Sequence, residues 1–326
     1  MIKTEPKQEL TGQDIKMLIS KITDKPEMYG FEVYIITKSE PRLKKMGFIE
    51  REDNNLRQKL KKSIFKILSD KYNAVDADYY VSADRIADEQ KKFYIVSTSK
   101  EYDPMFVLKT EPGTFRKKDI GDATGIAFAI FLEGKCLLWV YQHLWSVMVP
   151  NKSNKNLMAR LISATEGEAF EEMTDPIITF AEKIDLLVIG DNIITSDYKL
   201  LQNYFGFQDY IRQRADKTIE VIEQKGLVAN VEKLRDYVQR GNGKPKYAKK
   251  MMRIADSQVL KMDLAKLLEN IHQSSRWNGK ITEENGKFVL DTYAQVENLI
   301  DLLDERYTRS DITGEEYDTD VKKLAD

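Results

Sequence analysis

The stretch Gln239-Arg-Gly-Asn-Gly-Lys-Pro-Lys-Tyr-Ala-Lys-Lys-Met-Met-Arg253 carries Arg240, Lys244, Lys246, Lys249, Lys250 and Arg253 without one acidic residue. Such a run is suited to one kind of chemistry, the neutralisation of phosphates. Lysine and arginine side chains displace counterions from a phosphate backbone, and a glycine-rich loop lets backbone N–H groups approach it closely. Three smaller groups repeat the theme. Arg116, Lys117 and Lys118 lie in "FRKKD", Lys152 and Lys155 in "NKSNKN", and Arg57, Lys59, Lys61, Lys62 and Lys66 in "LRQKLKKSIFK". The ordinary reading of any lysine-rich helix is a solvated surface, and only the 240–253 run departs from it by lacking acids altogether. No aromatic ladder for stacking single strands and no zinc finger accompanies it, so its expected contacts are backbone phosphates, weakly sequence-specific and steeply salt-dependent. The whole chain gives no help: 51 basic and 53 acidic residues leave a net charge of −2, so attraction to nucleic acid must be local.

Other chemistries find less support. The two histidines, His143 and His272, have no second ligand at metal spacing, and His143 reads as a core histidine with one hydrogen bond. The lone Cys136 sits in apolar "GKCLLWVYQ" and reads as a small core residue of a chain kept in a reducing compartment. No phosphate-binding P-loop and no Gly-x-Ser-x-Gly elbow is present. A divalent-metal nuclease would need an Asp and a Glu-x-Lys on adjacent strands. Asp185, Asp191 and Asp197 around "DLLVIGDNIITSD" supply only pieces of that set. No metal or other cofactor is expected.

These residues need a scaffold, and periodicity supplies one. Strands are expected at "GFEVYIITKS", "KKFYIVST" and the pair in "ATGIAFAIFLEGKCLLWVYQ", reversed at Gly134, with "MFVLKT" pairing nearby. Leu56, Leu60, Ile64, Ile67 and Leu68 recur at helical spacing. From Tyr198 the chain turns helical: Tyr210, Ala215, Ile219 and Ile222 share a face that Gly226 ends, Pro245 opens a further helix, and "TYAQVENLIDLLDERY" makes the last. Asn285-Gly286 marks a hairpin. The fold class is α+β in two domains. An N-terminal mixed or antiparallel sheet with helices spans 1–160, a C-terminal hairpin-plus-helices domain spans 161–310, and 311–326 is an acidic tail, read as solvating and partly disordered. No apolar run approaches the roughly 20 residues a membrane span needs, so the chain reads as soluble.

From Phe115 to His272 the order of elements resembles the KwaB family, the soluble component of the Kiwa anti-phage system. The likeness lies in "GIAFAIFLEGKCLLWVYQ", in "FEEMTDPIITFAEKIDLLVIGDNIITSDYKLLQNYFGFQDYIRQRADKTIEVI" with small Ala215 packed inward, and in "PKYAKKMMRIADSQVL". The resemblance implies a cytoplasmic effector recruited to the inner membrane by the membrane protein KwaA. It implies DNA binding that interferes with phage replication, without enzymatic chemistry, and self-association, as a dimer, is expected. It assigns no DNA-contact residue; those named above come from charge clustering. Two alternatives stand beside it: a divalent-metal nuclease, and a protein-binding adaptor without DNA affinity.

Overall fold

The computed structural model describes residues 10–49, 55–83, 92–99, 101–144, 159–164, 167–172, 177–240, 246–274, 277, 279–304, 307–309 and 316–318. The chain forms two compact units, one of Met1–Val81 with Lys91–Tyr198, the other of Ser82–Gln90 with Lys199–Asp326. The mixed α and β character is as expected. The division falls after Tyr198, not near residue 160, because the 186–195 hairpin extends the first unit's sheet.

In the first unit, helix α1 (Gly12–Asp24) opens with a capping box between Thr11 and Asp14, and buries Ile15, Ile19 and Ile22. Helix α2 (Leu56–Ile67) buries Leu60, Ile64 and Phe65 and runs on through a wider turn over Leu68–Asn73. The sheet strands are β1 (Gly30–Thr37), β2 (Leu43–Lys45), β3 (Tyr80–Ser82), β4 (Phe93–Ser97), β5 (Gly113–Thr114), β6 (Ala123–Leu132), β7 (Lys135–His143), β10 (Leu186–Ile189) and β11 (Asn192–Thr195). The intervening β8 (Ala159–Ala164) and β9 (Gly167–Glu172) pair as a separate hairpin. The large sheet has the order β3-β4-β11-β10-β7-β6-β1-β2-β5. Among the described pairings within it, only β2 with β5 is parallel.

Two-residue turns set the register. Glu133 and Gly134 both have positive φ, which the right-handed twist of a hairpin favours, and Leu132 faces Lys135 across them. Gly190, at φ +56°, does the same at Gly190-Asp191, with Ile189 facing Asn192. "DLLVIGDNIIT" is therefore a hairpin between β7 and β4. Alternation then sorts the side chains of β6: Ile126, Phe128 and Ile130 all join the core that holds α1 and α2. "MFVLKT" does not form the expected strand. Phe106–Lys109 is a single tight 3₁₀ turn that starts where Phe106 N–H bonds Asp103 C=O, and Lys109 is tied to Asp103 and Asp191 at 2.7 and 3.0 Å.

In the second unit, α3 (Tyr198–Tyr204) leads into α4 (Phe207–Gln224), which buries Phe207, Ile211, Ala215, Thr218, Ile219 and Ile222. Gly226 ends α4 at φ +64°, and the next N–H, of Leu227, returns to Ile222 C=O. Then come α5 (Glu232–Gln239), α6 (Lys246–Arg253), α7 (Gln258–Lys261) and α8 (Leu264–Gln273). Strands β12 (Glu283–Glu284) and β13 (Lys287–Phe288) form the hairpin expected at Asn285-Gly286, and α9 (Tyr293–Leu303) follows a capping box at Thr292. Buried Phe288 bonds on either side to Leu227 and Ala229, fastening the hairpin to the exit of α4. The acidic segment is not wholly without structure: β15 (Glu316–Asp318) pairs with β14 (Tyr307–Arg309). The rest of 311–326 lies outside the described residues.

Gly125 in β6 faces a constraint specific to its neighbour. A Cβ there would overlap the ring of Tyr141 on β7. Gly125→Ala should therefore destabilise the chain by about 1–3 kcal/mol, as overpacking does. A lowered urea midpoint with unchanged slope is the expected result.

Candidate nucleic-acid interface

The acid-free run begins where α5 ends. Helix α5 buries Leu234, Tyr237 and Val238 and exposes Arg240 just past its last turn. Helix α6 buries Ala248, Met251 and Met252, a three- and four-residue spacing that turns Lys249 and Lys250 toward the sides, where both are half-buried. Lys246 and Arg253 are the first and last residues of α6, but their side chains, like all of Lys244 and Pro245, lie outside the described residues. The expected helix after Pro245 begins at Lys246.

Tyrosines organise this corner. Tyr237 is fully buried, and its hydroxyl donates to Glu297 on α9 at 3.1 Å. Burial, reinforced by the Glu297 charge, pushes that hydroxyl's pKa well above the ordinary tyrosine range, so it stays a neutral donor. Tyr247 on α6 meets the Tyr237 ring edge-on at 4.7 Å, and Tyr293 on α9 lies 6.2 Å from it. Arg240 rests on this assembly. Its guanidinium carbon is 3.9 Å from the Tyr293 ring centre and 5.5 Å from that of Tyr247. Lys233 Nζ lies 4.5 Å from the Tyr293 centre as well. An aromatic face attracts a cation without neutralising it, and a guanidinium lying on a ring keeps its N–H edge available. Arg240 thus stands exposed and oriented, with no carboxylate partner among the described residues. The tyrosines were the signal missed in the sequence, although Tyr247 sits inside the basic run itself.

The other basic groups belong to the first unit. Arg116, Lys117 and Lys118 are exposed on a 3₁₀ turn, Lys117–Asp122. That turn is pinned from below: Asp119 accepts from Arg116 N–H at 2.8 Å and pairs with the buried Lys44 ammonium at 2.8 Å. Lys44 and the Arg116 N–H hold the Asp119 carboxyl below the usual aspartate range. In "LRQKLKKSIFK", Arg57 Nε donates to Phe31 C=O and Lys61 Nζ to Tyr29 C=O, so these two cations fasten α2 to the start of β1. Burial, then the charge of Arg57, lowers the Lys61 pKa. Lys59, Lys62 and Lys66 remain exposed. Lys152 and Lys155 lie outside the described residues.

Of the carboxylates considered for a nuclease, Asp185 and Asp197 lie close together, their backbone carbonyls both accepting from the Thr195 hydroxyl at 2.9 and 3.3 Å, but Asp191 is not with them. Asp185 and Asp191 sit at opposite ends of β10, separated by roughly 15–20 Å at about 3.3 Å per residue. Asp185 accepts His143 N–H at 2.7 Å and pairs with Lys183 at 2.9 Å, while Asp191 pairs with Lys109. Among the described residues no cluster of three or more His, Cys, Asp or Glu side chains is arranged to hold a metal. His143 Nδ1 is 3.1 Å from Tyr141 Oη, and burial lowers its pKa against the opposing pull of Asp185.

Residues 121–313, more than half of the chain, match the model of the Kiwa protein KwaB-like family. The chain belongs to that family. It is thereby a Kiwa-type anti-phage defence component. The match includes α4, α5, α6, α8 and α9, and so the whole tyrosine and arginine corner; the turn at Lys117–Asp122 lies at its border. Neither a curated protein nor a solved structure matches the chain. No helix among the described residues is long and apolar enough to cross a membrane.

Two outcomes follow from these contacts. Tyr237→Ala should cost about 3–5 kcal/mol, as truncation of a buried aromatic does, whereas Arg240→Ala, on the surface, should leave the thermal midpoint nearly unchanged. The Lys44–Asp119 pair should make stability acid-sensitive. A carboxyl whose folded pKa is lowered contributes above its unfolded pKa and loses that contribution as pH falls through the folded value. Asp119→Asn should therefore be less stable than the parent at pH 7, and urea midpoints should converge as the pH is lowered.

Proposed function

We propose that this KwaB-like protein is a non-catalytic DNA-binding effector, holding DNA through its phosphates and thereby interfering with phage replication. The observation that carries the reading is Arg240, seated on Tyr293 and Tyr247 with no acidic partner among the described residues and followed by the acid-free α6. A cation ordered by aromatic rings arrives at a phosphate already oriented, and so loses less side-chain entropy on contact than a free lysine. Arg116, Lys117 and Lys118 on the first unit, with Lys152 and Lys155, extend the set of phosphate contacts. The membrane protein KwaA recruits the effector from the cytoplasm to the inner membrane, and the effector acts as a dimer. These assignments rest on family membership.

The test is fluorescence anisotropy with duplex DNA across a salt series, with and without magnesium, and cleavage read in the same tubes. Lys246→Glu, Lys249→Glu and Lys250→Glu together should weaken binding to all sequences alike and flatten the salt dependence by about 3 in log–log slope, near one unit per lost phosphate contact. Unchanged affinity and slope would remove this site from the interface. Cleavage in magnesium would replace the reading with a nuclease, and no affinity in the parent chain at physiological salt would replace it with a protein adaptor.

A further inference from the structure

In the first unit, the loop between β1 and β2 lies beside the turn at Lys117–Asp122. Thr37 N–H donates to Arg42 C=O at 2.8 Å, Lys38 N–H to Asp122 C=O at 3.0 Å, and Phe115 N–H to Lys45 C=O at 3.1 Å. The buried ion pair of Lys44 and Asp119 ties β2 to the Lys117–Asp122 turn, and the same carboxylate accepts Arg116 N–H. A buried pair holds only while both partners keep their places, so the two segments are fixed against each other. Four cations stand on them: Lys38 and Arg42 on one, Arg116 and Lys118 on the other. All four are exposed, and none makes an ion pair among the described residues. Alternation along the chain puts Arg42, two residues before Lys44 and roughly 6–7 Å from it, on the side where Lys44 meets Asp119.

The carboxylates nearby do not cancel this charge. Asp119 is committed to Lys44, and Glu40 turns back to accept Arg42 N–H at 3.1 Å. Glu111 and Asp122 are exposed, and with Glu40 they leave the cations in excess. None of the exposed large apolar side chains falls within 37–45 or 113–122. The surface therefore has nothing to insert among lipid tails, no ring on which a base could stack, and no apolar anchor for a protein partner. Fixed positive charge is what it offers, and a phosphate backbone is the ligand that charge alone recognises. We propose that these two segments form a second hold on the DNA backbone, in which Lys38 and Arg42 join Arg116 and Lys118. The proposal rests on the DNA-binding reading above and adds a point of contact to it, in a different unit from Arg240. Arg42 and Arg116 each present a planar fork to a phosphate, and the two lysines act as point charges beside them. All four residues precede 121, outside the stretch that matches the family.

Fluorescence anisotropy of the full chain with duplex DNA across a salt series tests this in the paired variant Lys38→Gln, Arg42→Gln. Binding should weaken, and the log–log salt slope should fall by about 2, near one unit per lost phosphate contact. The pair Lys38→Arg, Arg42→Lys keeps the charge and should keep the slope. Combined with Lys246→Glu, Lys249→Glu and Lys250→Glu, the losses should add, as they do for sites that share no partner. An unchanged thermal midpoint shows that the surface changes leave the fold intact. A parent chain that binds DNA, with the same affinity and slope in the Lys38→Gln, Arg42→Gln variant, would overturn this proposal and leave the reading at Arg240 standing. A parent chain without DNA affinity would remove that reading, and this proposal with it. Vesicles of phosphatidylglycerol sedimented in parallel supply the other outcome. If the variant loses vesicle binding while its DNA affinity is unchanged, the surface belongs to a lipid headgroup and the proposal is overturned.

Discussion

The helices that carry the basic run are keyed on one buried side chain, Tyr237. From α5 it meets Tyr247 on α6, and both Tyr293 and Glu297 on α9, so three helices depend on one ring and one hydroxyl for their relative setting. A fully buried hydroxyl must find an acceptor, and Glu297 is the acceptor within reach. The position of Arg240 follows from this, because the rings it rests on are placed by Tyr237. Without the buried tyrosine, the exposed arginine would be an ordinary mobile surface cation.

This arrangement explains why counting lysines and arginines misjudges a surface. The chain's cations have different uses. Lys44, Lys45, Lys109 and Lys183 are paired with carboxylates at 2.5–3.0 Å, and their charge is largely spent on the fold. Arg57 and Lys61 are bonded to the backbone carbonyls of Phe31 and Tyr29 and hold a helix against a strand. Arg240 and Lys233 are held by aromatic faces, which order a cation while leaving its charge outwardly effective. A cation seated on an aromatic face keeps a fixed position and an unneutralised charge together, and that combination is what a phosphate recognises.

Much of the fold could be read from the sequence because its signals are local. Glu133-Gly134, Gly190-Asp191 and Asn285-Gly286 each make a two-residue turn, and each hairpin follows from its turn. The faces of α2 and α4 and the stop at Gly226 were legible from spacing and from glycine. What was not legible depends on partners distant in sequence. The placement of β10 and β11 between β7 and β4 joins residues nearly 100 positions apart, as between Ile193 and Val96, and it moved the division of the chain from residue 160 to Tyr198. The "MFVLKT" segment has strand-forming residues, but its neighbours Asp103 and Lys109 close it into a turn. The basic run was visible, yet its ordering was not. Tyr237 and Tyr247 are ten residues apart, Tyr293 lies 46 positions further on, and the three carry no periodic mark of a shared corner.

The proposed hold on DNA requires the tyrosine seat and the arginine to act as one unit. A double-mutant cycle on duplex affinity tests it directly, with Arg240→Ala, Tyr293→Leu and the pair measured at one salt concentration. The account predicts strong coupling: either single change weakens binding, and the double variant is little worse than Arg240→Ala alone, with an interaction energy in the range of about 0.5–3 kcal/mol expected for residues in contact. Strictly additive losses, or a Tyr293→Leu chain that binds as tightly as the parent, would contradict it.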